Sequence, residues 1–229
     1  MSAVVAALQE AWETGNPVAP LPAGAVEDGA AAAAALAEAM GHPVIGLRLA
    51  RGPQGGGWLS APMIEPRMLR AGTPVALAAL RQPVLSVAVL GVLAEELGEE
   101  SDGPPVFSAL HPALDVAATR FRDGPADAAQ CVADLGGLGF VLVGKRSAST
   151  DLPETAEARL GRTGTRPRAI NEQLAALMRR AADEARRWGG LPAGSVLVVS
   201  GLGGEFSPLA GEKWSAAVAG VGRINAGFG

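Results

Sequence analysis

Gln82-Pro83-Val84-Leu85-Ser86-Val87-Ala88-Val89-Leu90-Gly91-Val92-Leu93 is the stretch from which the fold is read. Pro83 opens a run that is β-branched or apolar almost throughout, the composition of a buried strand. Side chains alternate between two faces along a strand, so Ser86 and Ala88 point the same way. Neither is acidic.

Working outward, Ala3 to Thr14 spaces Val4, Val5, Leu8 and Trp12 along one helical face, and Gly15-Asn16-Pro17 ends it. Pro20-Leu21-Pro22 is a rigid connector. Val26 to Met40 reads as a second helix through the alanine run Ala30 to Ala35, stopped by Gly41-His42-Pro43. Val44 to Ala50 alternates as a strand, and Arg51 to Gly57 is a Gly-rich loop. From Trp58 to about Val143 the signal is short strands, among them Pro74 to Leu80, Pro83 to Leu93, Ala113 to Phe121 and Gly139 to Val143. Glu95 to Pro105 is acidic and broken by Gly and Pro, which predicts a surface loop.

Asp151 to Arg168 is polar and irregular. Ile170 to Trp188 is the clearest amphipathic helix, with Leu174, Leu177, Met178, Ala181, Ala185 and Trp188 on one stripe. Ser195 to Ser200 predicts a strand, Gly201-Leu202-Gly203-Gly204 a turn, and Trp214 to Asn225 a final strand. Two helices, a strand-rich body, one helix and two closing strands argue for an α+β fold with mixed strands.

The 229 residues are 48% hydrophobic, ample for one large core with a small appendage. A net charge of −4 gives no electrostatic reason to expect nucleic acid. The single cysteine, Cys131, rules out an intrachain disulfide and fits a reducing compartment. Met1 to Trp12 lacks the pattern of a signal peptide, and no apolar stretch approaches the roughly 20 residues of a membrane span. A soluble cytoplasmic protein is the expectation.

Five places in the chain resemble the 2-keto-4-pentenoate hydratase and 2-oxo acid decarboxylase branch of the fumarylacetoacetate hydrolase superfamily. Pro20-Leu21 before a helix is similar to the family's entry segment. Val44-Ile45-Gly46-Leu47-Arg48-Leu49 resembles its V-x-G-x-K-x strand, with Arg48 at the lysine position. Gln82-Pro83 opens the counterpart of its Glu-x-Glu strand. Pro112-Ala113-Leu114-Asp115-Val116, with Arg120, resembles its P-A-(L/I)-E-(V/I) strand, and Val132-Ala133-Asp134-Leu135 its V-A-D-N segment. In the C-terminal half, Gly194-Ser195 with Ser200-Gly201, Ala210-Gly211-Glu212 and Gly220-Val221-Gly222 continue the likeness. The resemblance implies a mixed β-roll with flanking helices, a helical segment over 1–42, a β-roll domain over 43–229, and homo-oligomers. It also implies Mg²⁺ or Mn²⁺ on three carboxylates, stabilising the enolate of a 2-oxo acid.

On that resemblance the three carboxylate positions hold Ser86, Ala88 and Asp115, and the asparagine position holds Leu135. Mg²⁺ takes six oxygen ligands, and one carboxylate with one hydroxyl is a poor set. No cofactor is therefore expected, with Asp115 the one retained acidic ligand position. Arg48 and Asp115 are the candidate catalytic pair, Arg48 binding a substrate carboxylate in place of the metal. Ser86, Gly201, Arg162 and Arg166 are candidate substrate contacts, Arg162, Arg166 and Arg168 lying where the family has a mobile loop. Glu205 is a candidate proton-transfer group. Against these stands a structural Arg48–Asp115 ion pair and a solvated arginine loop. His42 and His111 have no second ligand at metal spacing, and Cys131 reads as a buried filler. Two functions stay open. One is a diverged hydratase-type lyase acting on a small 2-oxo or 2-hydroxy-dienoic acid with weak or no metal dependence. The other is an inactive homologue that binds a small acid or partners a hydratase or decarboxylase; Ala88, Leu135 and Pro62 make the pocket apolar in its favour.

Overall fold

The computed structural model describes residues 2–52 and 56–229. Two helices come first. α1 (Ala3–Thr14) starts at Ser2, whose hydroxyl accepts the Val5 amide, and α2 (Gly29–Met40) starts at Asp28, whose carboxylate accepts the Ala31 amide. That cap is why α2 begins later than the apolar pattern predicts. Then come β1 (Val44–Arg51), β2 (Trp58–Ile64), β3 (Met68–Arg70), β4 (Val84–Leu93), β5 (Phe107–Ala117), α3 (Ala128–Ala133) and β6 (Leu138–Val143). The C-terminal part holds β7 (Ala156–Arg162), β8 (Ile170–Glu172), α4 (Leu174–Arg187), β9 (Val196–Phe206), β10 (Lys213–Val218) and β11 (Gly222–Gly227).

A curled seven-stranded sheet runs β2-β1-β9-β4-β5-β6-β3, and a four-stranded sheet runs β11-β10-β7-β8. β1 pairs with β9 in parallel while β4 pairs with β5 and β9 antiparallel, so the large sheet is mixed. The fold is α+β with few helices. β4 lies between β9 and β5, and its alternation divides two cores. Leu85, Val87, Val89 and Leu93 face the small sheet and α4. Ala88 and Leu90 face the other way, into a cluster with Leu8 of α1, Leu36 of α2 and Ala133 of α3. Helices of 12 residues are marginal alone. Burying Leu8 and Leu36 completely, at about 1.5–3 kcal/mol each, is what holds them to the sheet.

Several expectations change. Pro74 to Leu80 is no strand; Leu77–Ala79 makes a 3-10 turn. The polar segment 151–168 contains β7, whose inward residues Ala156, Ala158 and Leu160 are mostly too small to show as a strand period. Ile170–Glu172 pairs with β7, which delays α4 to Leu174. The glycines of 201–204 do not end a strand but bulge within β9, and Trp214 to Asn225 divides into the β10–β11 hairpin. The predicted strand from Ala113 starts at Phe107 and stops at Ala117. α3 carries no signal that the sequence reading used. Of the Gly-rich loop over 51–57, Arg51 ends β1 and residues 53–55 lie outside the described residues. Glu95 to Pro105 is largely exposed and irregular, as predicted.

Between α3 and β6 the chain turns through Leu135 (φ 51°), Gly136 (φ 64°) and Gly137 (φ 68°). A left-handed residue with a Cβ costs about 1–2 kcal/mol. Full burial of the Leu135 side chain offsets it at about 1.5–3 kcal/mol. Truncation to Ala keeps the strain and loses the burial, whereas Gly loses both. Chemical denaturation is therefore expected to find Leu135→Gly more stable than Leu135→Ala by about 1 kcal/mol, the reverse of the usual order.

Candidate functional site

Arg48 stands on β1 and Asp115 on β5, with β9 and β4 between them. Three strand spacings would hold them roughly 14 Å apart in a flat sheet. They meet because the sheet curls. Arg48 Nε donates to Asp115 Oδ1 at 2.9 Å, and Nη2 donates to Oδ2 at 2.5 Å. Nη1 donates to the Gly136 carbonyl at 2.8 Å. Both side chains are 2% exposed. They project to the side of the sheet that carries α1 to α3, opposite Leu47, Leu49, Leu114 and Val116. The left-handed turn at Leu135 thus has a structural consequence: it presents Gly136 to the third nitrogen of a buried guanidinium.

Ser86 is paired in register with Asp115 on one side and Glu205 on the other. Its hydroxyl accepts the Gly201 amide at 2.9 Å. Gly201 is left-handed at φ 79°, and a Cβ there would stand 2.6 Å from the Arg51 side chain. Only glycine fits this bulge, which brings Gly201 to Ser86 but not to open solvent. Ala88 is fully buried. Ser200, also fully buried, is the one buried side-chain polar atom without a partner among the described residues.

The donor set decides whether a divalent ion fits. Both oxygens of Asp115 already bind Arg48, Ser86 accepts an amide, and Ala88 offers nothing. No three Asp, Glu, His or Cys residues gather at metal-binding spacing among the described residues. A hard cation needs several free oxygens, and these residues do not fit one.

The remaining predicted residues lie elsewhere. Arg162 is on β7 in the small sheet, pairs with Glu212 at 2.8 Å and is 58% exposed. Arg166 and Arg168 are exposed on the turn that follows. These arginines are on the other side of the large sheet from Arg48, so Arg162 and Arg166 do not join its pair. A cleft of about 560 Å³ there is lined by Arg162, Arg168, Ile170, Phe206 and Trp214. Glu205 is exposed at the edge of that cleft and of another, about 300 Å³, lined by Arg51, Gln82, Asp123, Cys131 and Gly136. The second cleft reaches Gly136, whose carbonyl binds Arg48, and it has more acids than bases. Burial pushes the Cys131 thiol up to about 11, so thiolate is scarce at neutral pH. His42 is exposed, and His111 shares a hydrogen bond with the Gly144 carbonyl at 3.0 Å.

A second buried ion pair has no place in the sequence reading. Arg120 Nε donates to Asp134 Oδ1 at 2.6 Å, its backbone amide to Oδ2, and Nη1 to the Leu138 carbonyl. Trp12 Nε1 also donates to Asp134 Oδ1. Burial pushes the Asp134 carboxyl up, and the Arg120 charge opposes that shift. Asp134 and Arg120 were visible only as parts of family-like segments. Their pairing with a helix 122 residues away is tertiary.

No protein-family profile matches the chain, and no curated protein sequence matches it. Solved structures do. 4-Oxalocrotonate decarboxylase from Pseudomonas putida G7, complexed with magnesium and adipate, superposes with a TM-score of 0.77 at 15% identity, over 99% of this chain and 96% of that one. 2-Hydroxyhepta-2,4-diene-1,7-dioate isomerase from Mycobacterium marinum gives 0.61 at 15% identity over 82% and 76%. Fumarylpyruvate hydrolase from Pseudomonas aeruginosa, in complex with Mn²⁺ and pyruvate, gives 0.58 at 12% identity over 82% and 90%. The β-roll fold implied by the resemblance is the fold found. Among the described residues no helix is long and apolar enough to cross a membrane.

An electron paramagnetic resonance titration checks the donor-set argument. The signal of free Mn²⁺ is expected to stay undiminished by an excess of protein; loss of one equivalent per chain would contradict it.

Proposed function

We propose that this chain, which has the fold of the fumarylacetoacetate hydrolase superfamily, binds a small organic acid without turning it over. One observation carries the reading. The two charged residues at the inherited centre close on each other, with all three guanidinium nitrogens and both carboxylate oxygens engaged. The three bonded nitrogens leave Arg48 only the second hydrogens of Nη1 and Nη2, and at 2% exposure these are not open to a substrate carboxylate. Each Asp115 oxygen already accepts from Arg48, and at 2% exposure neither is open to a substrate proton or a metal. A general base must stand within hydrogen-bond reach of the proton it takes, and this one is walled in by its partner.

The ligand class is supported by the neighbours. The decarboxylase structure holds adipate and the hydrolase structure holds pyruvate, both small carboxylic acids. A diverged lyase remains the competing reading, and it requires the Arg48–Asp115 pair to open. A role as partner of an active enzyme is supported by a different observation. Ile170, Phe206 and Leu209 leave large apolar surface exposed beside the arginine-bearing turn, where a second subunit has something to cover.

The test is the ultraviolet decay of freshly generated 2-hydroxy-2,4-pentadienoate with purified protein in Mg²⁺, in Mn²⁺ and in EDTA. Decay at the buffer rate in all three is expected. Turnover that survives EDTA would establish a metal-free lyase, and turnover only with metal would establish a metal site. Either result overturns the reading.

A further inference from the structure

α1 ends beside a cleft that is separate from the Arg48–Asp115 centre. It has a volume of about 350 Å³, and its walls include Trp12, Arg67, Arg81, Gln82, Thr119 and Arg120. Every ionisable group on that wall is an arginine; no Asp or Glu lines it. Asp134 lies behind the wall, fully buried, with its oxygens engaged by Arg120 and Trp12.

Arg67 is the exceptional residue. It ends the 3-10 turn Glu65–Arg67 and is half-buried. Its guanidinium carbon lies 4.3 Å from the ring centre of Trp12 and 4.9 Å from that of Phe140. The two aromatic rings hold the group in place through cation–π contact. Among the described residues no carboxylate pairs with it and no protein acceptor takes its side-chain N–H donors. Arg48 and Arg120, the other arginines buried in the helical layer, each have an Asp partner. The Arg120 guanidinium also lies over Trp12, at 4.0 Å, so two cations converge on one indole, and Asp134 pairs with Arg120 alone. Burial, and then the Arg120 charge, pull Arg67 down to about 10, against a smaller opposing pull from the Asp134 charge. At neutral pH it is still a cation.

We propose that this cleft is the receptor for the carboxylate of a small organic acid, with Arg67 as its anchor. A guanidinium fixed by its faces and free at its donors is suited to bidentate capture of a planar carboxylate. Arg81 at the exposed rim supplies a second positive charge, which suits an acid with a second anionic group. The volume admits a small ligand, at the lower end of known binding cavities. The acidic cleft beside Arg51 is the weaker receptor for an anion, since Asp123 and Glu205 share its wall. The inference rests on the preceding reading only for the ligand class. The site stands whether or not the Arg48–Asp115 centre is active, and the dienoate assay cannot decide it.

Isothermal titration calorimetry with adipate tests the site, with inorganic phosphate as the comparison anion. Adipate is expected to bind wild-type protein saturably and more tightly than phosphate. Arg67→Met keeps a flexible apolar stem between the rings and removes the charge, and is expected to weaken adipate by about tenfold or more. Arg67→Lys keeps the charge but not the fork and is expected to fall between. Arg51→Ala, in the other cleft, is expected to bind as wild type does. Circular dichroism and thermal melting confirm that each variant is folded; should Arg67→Met unfold, Arg67→Lys decides. No saturable binding up to about 20 mM adipate would overturn the proposal, since that marks an affinity too weak for a built site. So would an Arg67→Lys protein binding as tightly as wild type, loss of binding in Arg51→Ala, or phosphate bound more tightly than adipate.

Discussion

The contact between Arg48 and Asp115 is the constraint on which the described centre depends. It joins two strands that are not neighbours, across the concave side of a curled sheet. At about 2.9 Å and an effective dielectric near 20, the attraction is roughly 6 kcal/mol. Desolvation takes several kcal/mol back for each ion. The pair therefore contributes little net stability, while either ion alone would be a large penalty. What the pair imposes is geometry. β1 and β5 are held at a fixed separation, Gly136 is held to Nη1, and the turn through Leu135 is held in its left-handed form.

That constraint also bears on how poorly the centre suits a metal ion. In a metal site, carboxylates repel one another until a cation satisfies them. Here a guanidinium supplied by the chain itself occupies the carboxylate, and the flanking positions are neutral: Ser86 bonded to a backbone amide, Ala88 packed in the core. Positive charge open to a ligand is found instead near α1, where Arg67 lies against two aromatic rings with no carboxylate partner among the described residues. The two arginine environments differ in what completes them. Arg48 has a carboxylate partner within the chain, and among the described residues Arg67 has none.

Much of the fold was legible from local pattern. The central strand announces itself through composition, and α1 and most of α4 through their apolar stripes. β7 escaped because Ala156 and Ala158 carry too little hydrophobic signal, and the β9 bulges because glycines inside a strand look like a turn. Arg48 and Asp115 were legible as a candidate pair only through family resemblance. Whether they touch depends on sheet curl, which no local spacing encodes. Arg67 was invisible for a related reason. It ends a short 3-10 turn, and the rings that hold it come from α1 and β6.

The most direct test of the central claim is a double-mutant cycle in urea, with Arg48→Met, Asp115→Leu and the two combined. Each single variant leaves an unpaired buried ion and is expected to lose about 3–5 kcal/mol. The double variant, with both ions gone, is expected to recover most of that loss. Losses that simply add, or single variants within about 0.5 kcal/mol of wild type, would contradict a closed ion pair at this centre.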